Sequence, residues 1–141
     1  MIRGAVALAI LSASLASCGG SRGAAPAAPI PAELTGTVEY RERIALPPEA
    51  QLRVRLEELA GSGKPPQFIA ETTIPRIGRP PIPFRIALAP GVIDPRRTYT
   101  LTARIERGEQ LLFINDPPFR VLTGGNPSRV EIVVSRAGSP K

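Results

Sequence analysis

Beyond Pro31, apolar residues stand at alternate positions in short runs, and nearly every run is closed by proline or glycine. Successive side chains of a strand point to opposite faces of a sheet, so this period of two marks strands with one buried face. The clearest run is Leu52-Arg53-Val54-Arg55-Leu56-Glu57, apolar on one face and charged on the other. Thr98 to Ile105 repeats the pattern with threonines on the expected solvent face, and Val130 to Ser135 repeats it again. Ile82 to Leu88 also alternates, and Pro83 within it marks an edge strand or a strand start. Val38-Glu39-Tyr40-Arg41 opens the series. Ile44 and Leu46 keep its parity, but Glu42 interrupts the inward row, which implies a bulge or an exit from the sheet. Weaker runs are Phe68 to Ile74, Leu111 to Ile114 and Arg120 to Leu122.

Turn chemistry separates these runs at Pro47-Pro48, Gly61-Ser62-Gly63, Gly78-Arg79-Pro80-Pro81, Pro90-Gly91, Arg107-Gly108, Asp116-Pro117-Pro118 and Gly124-Gly125-Asn126-Pro127. No stretch beyond Pro31 sustains a helical period. The expectation is an all-β domain over residues 34–136: an antiparallel β-sandwich or small barrel of about seven to eight short strands. With a single cysteine and no histidine, its core has neither disulfide nor zinc to support it. Residues 137–141 read as a disordered tail.

The N-terminus carries a different signal. Met1-Ile2-Arg3 is a short basic start, and Gly4 to Ala16 is small and apolar, too short for the roughly 20 residues of a spanning helix. Residues 1–17 therefore read as a secretory signal peptide. The sequence Leu15-Ala16-Ser17-Cys18-Gly19 resembles a bacterial lipobox, in which an aliphatic and two small residues precede a lipid-bearing cysteine. That resemblance implies signal-peptidase recognition through Leu15, Ala16 and Ser17 and a covalent lipid on Cys18, with no other cofactor. Gly19, in place of an aspartate, implies sorting to the outer membrane, facing the periplasm. The mature chain would be tied to a bilayer by two or three acyl chains, since one chain binds only marginally. Residues 18–33, rich in glycine, alanine and proline, then form a disordered tether, whose stretch from Gly19 to Pro31 reaches up to about 40 Å at ~3.1 Å per residue.

Gly36-Thr37-Val38-Glu39-Tyr40-Arg41-Glu42-Arg43-Ile44-Ala45-Leu46-Pro47-Pro48 resembles the opening of the YbaY/YscW family of bacterial lipoproteins. Pro81-Ile82-Pro83-Phe84, Thr98-Tyr99, Ala103-Arg104-Ile105 and Phe113-Ile114-Asn115-Asp116 follow in the family's order. The resemblance covers Leu34 to Ser135 and implies a β-sandwich. One branch of the family consists of pilotins, lipoproteins that help the secretins of type III secretion systems to localise and assemble. No pilotin contact residue can be carried over to a position of this chain.

Little in the chain points to catalysis. Without histidine, a Ser-His-Asp or Cys-His nucleophile system has no base. Glu57-Glu58 is the adjacent acidic pair, expected at a strand end where solvent screens it. Asp116 before Pro117 reads as a turn residue, and neither it nor Asp94 has calcium-loop spacing. Gly124-Gly125 is too short for a phosphate loop, and Tyr40 and Tyr99 share parity with the core. The formal charge of +6 comes from arginines scattered among glutamates, without interleaved aromatics. That reads as a solvated face with cross-strand ion pairs and not as a nucleic-acid surface.

The expected function is a non-enzymatic, outer-membrane-anchored periplasmic module that assists binding or assembly. Its partners are the bilayer and an outer-membrane or secretion-system protein held by edge-strand pairing. Two alternatives stay open: an envelope-maintenance lipoprotein without a dedicated client, and an inhibitor of secreted enzymes presenting Lys64-Pro65-Pro66.

Overall fold

A computed structural model describes residues 30–138. Every alternating run forms a strand: β1 (Glu33–Tyr40), β2 (Gln51–Glu58), β3 (Gln67–Pro75), β4 (Ile82–Ala87), β5 (Tyr99–Arg107), β6 (Gln110–Ile114), β7 (Phe119–Val121) and β8 (Arg129–Arg136). No helix occurs among the described residues. The all-β expectation holds, with eight strands.

The strands follow one path, β3-β2-β5-β6-β8-β1-β4, with β7 added beside β5. The ends of the path, β3 and β4, come back towards each other, so the sheet nearly closes into a barrel. β8 joins the two leaves. Its length from Arg129 to Val134 pairs with β1, and its last residues cross to β6 through Phe113↔Arg136 and Ile114↔Ser135. The β1–β8 pair is parallel, which makes the sheet mixed and departs from a purely antiparallel sandwich. β1 and β8 lie at opposite ends of the domain sequence and share no hairpin, so no tight turn constrains their direction.

The inward rows are those the alternation marks. Leu52, Val54 and Leu56 of β2, Ile82, Phe84 and Ile86 of β4, Leu101, Ala103 and Ile105 of β5 and Val130, Ile132 and Val134 of β8 are all buried. Each large side chain contributes about 1.5–3 kcal/mol by leaving water. Gly36 interrupts the inward row of β1 for a steric reason. A Cβ there would lie 2.2 Å from the Val130 carbonyl oxygen and 2.9 Å from the Phe84 ring. Only glycine lets β8 and the Phe84 ring approach so closely.

β5 shares one edge between two short strands. β7 pairs with Tyr99 to Leu101, and β6 pairs with Arg104 to Arg107. Asn115 fills the interval. Its backbone N–H donates to the Ala103 carbonyl, its Oδ1 accepts from the Ala103 N–H at 2.7 Å, and its Nδ2 donates to the Leu101 carbonyl at 3.1 Å. The side chain supplies what a continuous strand would have supplied, so β5 stays satisfied where the chain detours.

Three details differ from the sequence reading. Beyond Tyr40 the chain leaves the sheet, as the break at Glu42 allowed, and forms no strand until Gln51, so Ile44 is exposed although it keeps the inward parity. Thr100 is buried, because its place in β5 lies between Glu57 of β2 and Arg120 of β7. Glu58 is 7% exposed and not screened by solvent. The alternation of β2 turns it inward at the sheet end, where the Arg97 guanidinium binds it.

Candidate partner-binding edge

The residues assigned to lipid attachment and processing, Leu15, Ala16, Ser17, Cys18 and Gly19, lie outside the described residues. Two surface concavities of the domain are open clefts. One of about 560 Å³ is lined by Thr35, Thr37, Phe119 and Arg129 among others; another of about 640 Å³ is lined by Pro48, Glu49, Gln51, Pro75, Arg76 and Ile77. The end strands of the sheet, β3 and β4, offer unpaired backbone groups.

Ladder geometry fixes which backbone groups those edges present. The Leu59 N–H donates to the Thr98 carbonyl, continuing the β2–β5 register. Bonded pairs alternate in an antiparallel ladder, so odd-numbered residues of β2 bond to β5 and even-numbered ones to β3. In β3, Ala70, Thr72 and Ile74 therefore bond to β2 through Leu56, Val54 and Leu52. Glu71 and Thr73 turn their N–H and C=O groups to the open side, and Pro75 lacks the N–H that would point there. On the other edge, the Leu88 N–H donates to the Ala32 carbonyl, so Ile86, Phe84 and Ile82 bond to β1. Arg85 and Ala87 face outward, and Pro83 again stands where the missing N–H belongs to the open side. Both edges thus carry a proline that removes a donor without weakening the ladder behind it.

β3 is the longer edge, and a β-bulge reshapes it. Leu56 pairs with Ala70 but Glu57 pairs with Phe68, leaving Ile69 as the extra residue. Plain alternation would align Phe68 with the inward set Ala70, Thr72 and Ile74. The bulge reverses it, so Phe68 lies on the outer face, 57% exposed, more than any other large apolar side chain among the described residues. The Arg55 guanidinium lies 5.6 Å from its ring centroid. Such a cation–π contact contributes about 0.5–1 kcal/mol at an exposed site.

Behind that edge the outer face is an ion-pair ladder, as the mixed arginine and glutamate pattern implies. Arg55 Nε donates to Glu71 Oε2 at 2.9 Å, Arg53 reaches Glu71 at 3.6 Å and Glu106 at 3.7 Å, and Arg104 reaches Glu106 at 3.2 Å. These partly exposed pairs contribute about 0–1 kcal/mol each. At the end where β1 begins, Asp94 accepts from the Arg96 side chain and backbone N–H, which hold its carboxyl below the ordinary aspartate range. Tyr99 is fully buried, as its parity implies, and its hydroxyl accepts from the Asp94 N–H at 2.9 Å; Tyr40 packs on Phe113 with ring centroids 5.4 Å apart.

Sequence parity alone conceals the exposure of Phe68, because the bulge is a property of the pairing and not of the run. The Gly61-Ser62-Gly63 turn and the weak alternation of Phe68 to Ile74 are the only local signs of irregularity.

Comparison with known proteins agrees with this architecture. A solved structure titled an alternative pilotin from the type II secretion system of Vibrio cholerae superimposes with a TM-score of 0.70 at 30% identity, covering 76% of this chain and 97% of that one. The uncharacterized lipoprotein YbaY of Escherichia coli (strain K12) is 30% identical over 93 residues, which are 65% of this chain and 49% of the relative. The chain thus spans about half the length of that relative. The family described as type III secretion system lipoprotein chaperone (YscW) matches residues 30–134, which takes in all but the last two residues of β8. The chain belongs to the YscW family of lipoprotein chaperones.

Proposed function

We propose that this protein is a lipid-anchored envelope chaperone of the pilotin type, which holds an extended segment of an outer-membrane or secretion-system client by strand addition. The observation that carries the reading is the nearly closed sheet whose two end strands leave backbone donors and acceptors unpaired towards the same opening. An extended polypeptide satisfies such groups, as no small molecule does along their whole length. Family membership and the similarity to a type II secretion pilotin support a secretion-related client and a non-enzymatic role.

In this reading Cys18 carries the lipid, Leu15, Ala16 and Ser17 admit the processing peptidase, and Gly19 directs the protein to the outer membrane. The segment between Cys18 and β1 keeps the domain within reach of the membrane where its client inserts. Cross-linking in native membranes followed by affinity purification of the lipidated protein tests the proposal. A secretin or another outer-membrane component should be recovered, and recovery should fall sharply for a Cys18→Ser variant that is no longer anchored. Equal recovery by a heat-unfolded control would contradict specific capture.

A further inference from the structure

Resting on the strand-addition reading, we infer that β3 is the acceptor edge and that Phe68 anchors the client segment beside it. Each edge presents two outward residues beside its proline, Arg85 and Ala87 on β4 and Glu71 and Thr73 on β3, but β4 carries no exposed large apolar side chain and follows Pro80-Pro81 directly. β3 presents Glu71 and Thr73 beyond the bulge, and Phe68 beside them on the outer face. An exposed aromatic next to unpaired ladder groups combines the two elements strand addition uses: backbone bonds for affinity and a side-chain contact for selectivity.

The geometry also gives the chemistry of the occupant. Ile69, Thr72 and Ile74 are half-buried, and Ile69 and Ile74 pack against the core at the unclosed side of the barrel. An added strand would place alternate side chains inward over them, and these should be apolar. Its other side chains would lie on the outer face, one against Phe68 and one near Glu71, where a neutral or basic residue fits and an acidic one does not. A second copy of this chain fits poorly. Antiparallel pairing centred on Glu71 sets Glu71 opposite Glu71; pairing centred on Thr72 sets Glu71 opposite Thr73 but ends there, with Pro75 opposite the bulge at Ile69. The occupant is therefore a segment of another protein, extended, alternately apolar, and not acidic on its outward face.

The test measures binding of short overlapping synthetic peptides from the host's outer-membrane secretin to the wild-type protein and three variants. Phe68→Ser removes the anchor from an exposed site without touching the core. Thr73→Pro removes a donor that faces the opening, and Arg85→Pro does the same on β4. Each variant is first checked for a cooperative melt, and Phe68→Ser carries the result if Thr73→Pro fails to fold. An alternately apolar peptide should bind the wild type, with affinity reduced at least about tenfold by Phe68→Ser and by Thr73→Pro. Arg85→Pro should leave it within about twofold. Equal binding by all four proteins, or selective loss in Arg85→Pro, would overturn the β3 assignment while leaving strand addition in place. Concentration-dependent dimerisation that competes with peptide and vanishes in Phe68→Ser would also overturn it, in favour of a second copy. If no secretin peptide binds the wild type, the inference and the secretin form of the proposed function fail together.

Discussion

Asn115 stands in for a missing stretch of strand beside Ala103: Oδ1 accepts from the Ala103 N–H at 2.7 Å, while the Asn115 backbone N–H donates back to the Ala103 carbonyl. The side-chain oxygen takes the place of Asn115's own carbonyl. That exchange lets β6 end and the chain turn through Asp116-Pro117-Pro118 before β7 resumes the pairing of β5.

Replacing Asn115 by leucine keeps an apolar body of similar size but strands the Ala103 N–H in the interior and removes one of two donors from the Leu101 carbonyl, which keeps its pairing with Phe119. A buried group left unpaired costs about 1–3 kcal/mol, so the loss should be on the order of 2 kcal/mol. For a domain of this size the melting temperature should fall by about 10 °C. A shift of only a degree or two would show that water or a backbone rearrangement replaces the side chain.

Gly36→Ala should be at least as disruptive, although it adds one methyl group. The new Cβ meets a backbone oxygen at 2.2 Å and the Phe84 ring at 2.9 Å, and the backbone oxygen belongs to the β1–β8 pairing. Overpacking of this kind costs about 1–3 kcal/mol, occasionally more, and the upper end applies because backbone must move. Chemical denaturation of Gly36→Ala beside Thr37→Ala separates the steric effect from strand propensity. Similar midpoints for the two would contradict it.

Much of this fold can be read from the sequence, and the parts that cannot have physical causes. The inward rows of β2, β4, β5 and β8 follow directly from alternation, because a one-residue slip would expose a whole row. Pro83 announces an edge, and β4 is one. The parallel pairing of β1 with β8 leaves no trace in either run, since direction is set by the path of the intervening chain. The outward turn of Phe68 depends on which residue of β3 faces Glu57, a fact of registry between strands. Glu58 carries the inward parity of β2, yet its partner Arg97 arrives from a loop distant in sequence.

The Asp94 carboxyl sits below its ordinary range, chiefly through the Arg96 side-chain hydrogen bond and then the Arg96 backbone N–H. A group whose folded pKa is lowered stabilises the fold fully above the ordinary aspartate value near 4, and that stabilisation disappears as pH falls through the lowered value. Asp94→Asn should therefore flatten the dependence of stability on pH below about 4 and leave its slope near neutrality unchanged. Denaturation midpoints across that acid range, measured on both proteins, check this. Parallel curves would contradict the assignment.

The anchoring half of the proposed function rests on Cys18. Mass spectrometry of the mature N-terminus should find an acylated Cys18 in the wild type and none in Cys18→Ser. Gly19→Asp should keep its lipid but shift towards the inner membrane in a Gram-negative host. An unmodified Cys18 in protein purified from membranes would remove this half of the account.

Amide hydrogen exchange on the domain, alone and with its captured client, tests strand addition at β3 most directly. In the free domain, the amides of Glu71 and Thr73 should exchange fast while those of Thr72 and Ile74, bonded to β2, are protected. On client binding, the Glu71 and Thr73 amides should become protected and those of Arg85 and Ala87 on β4 should not change. Protection appearing on β4, or a bound complex in which Glu71 and Thr73 still exchange freely, would contradict the account.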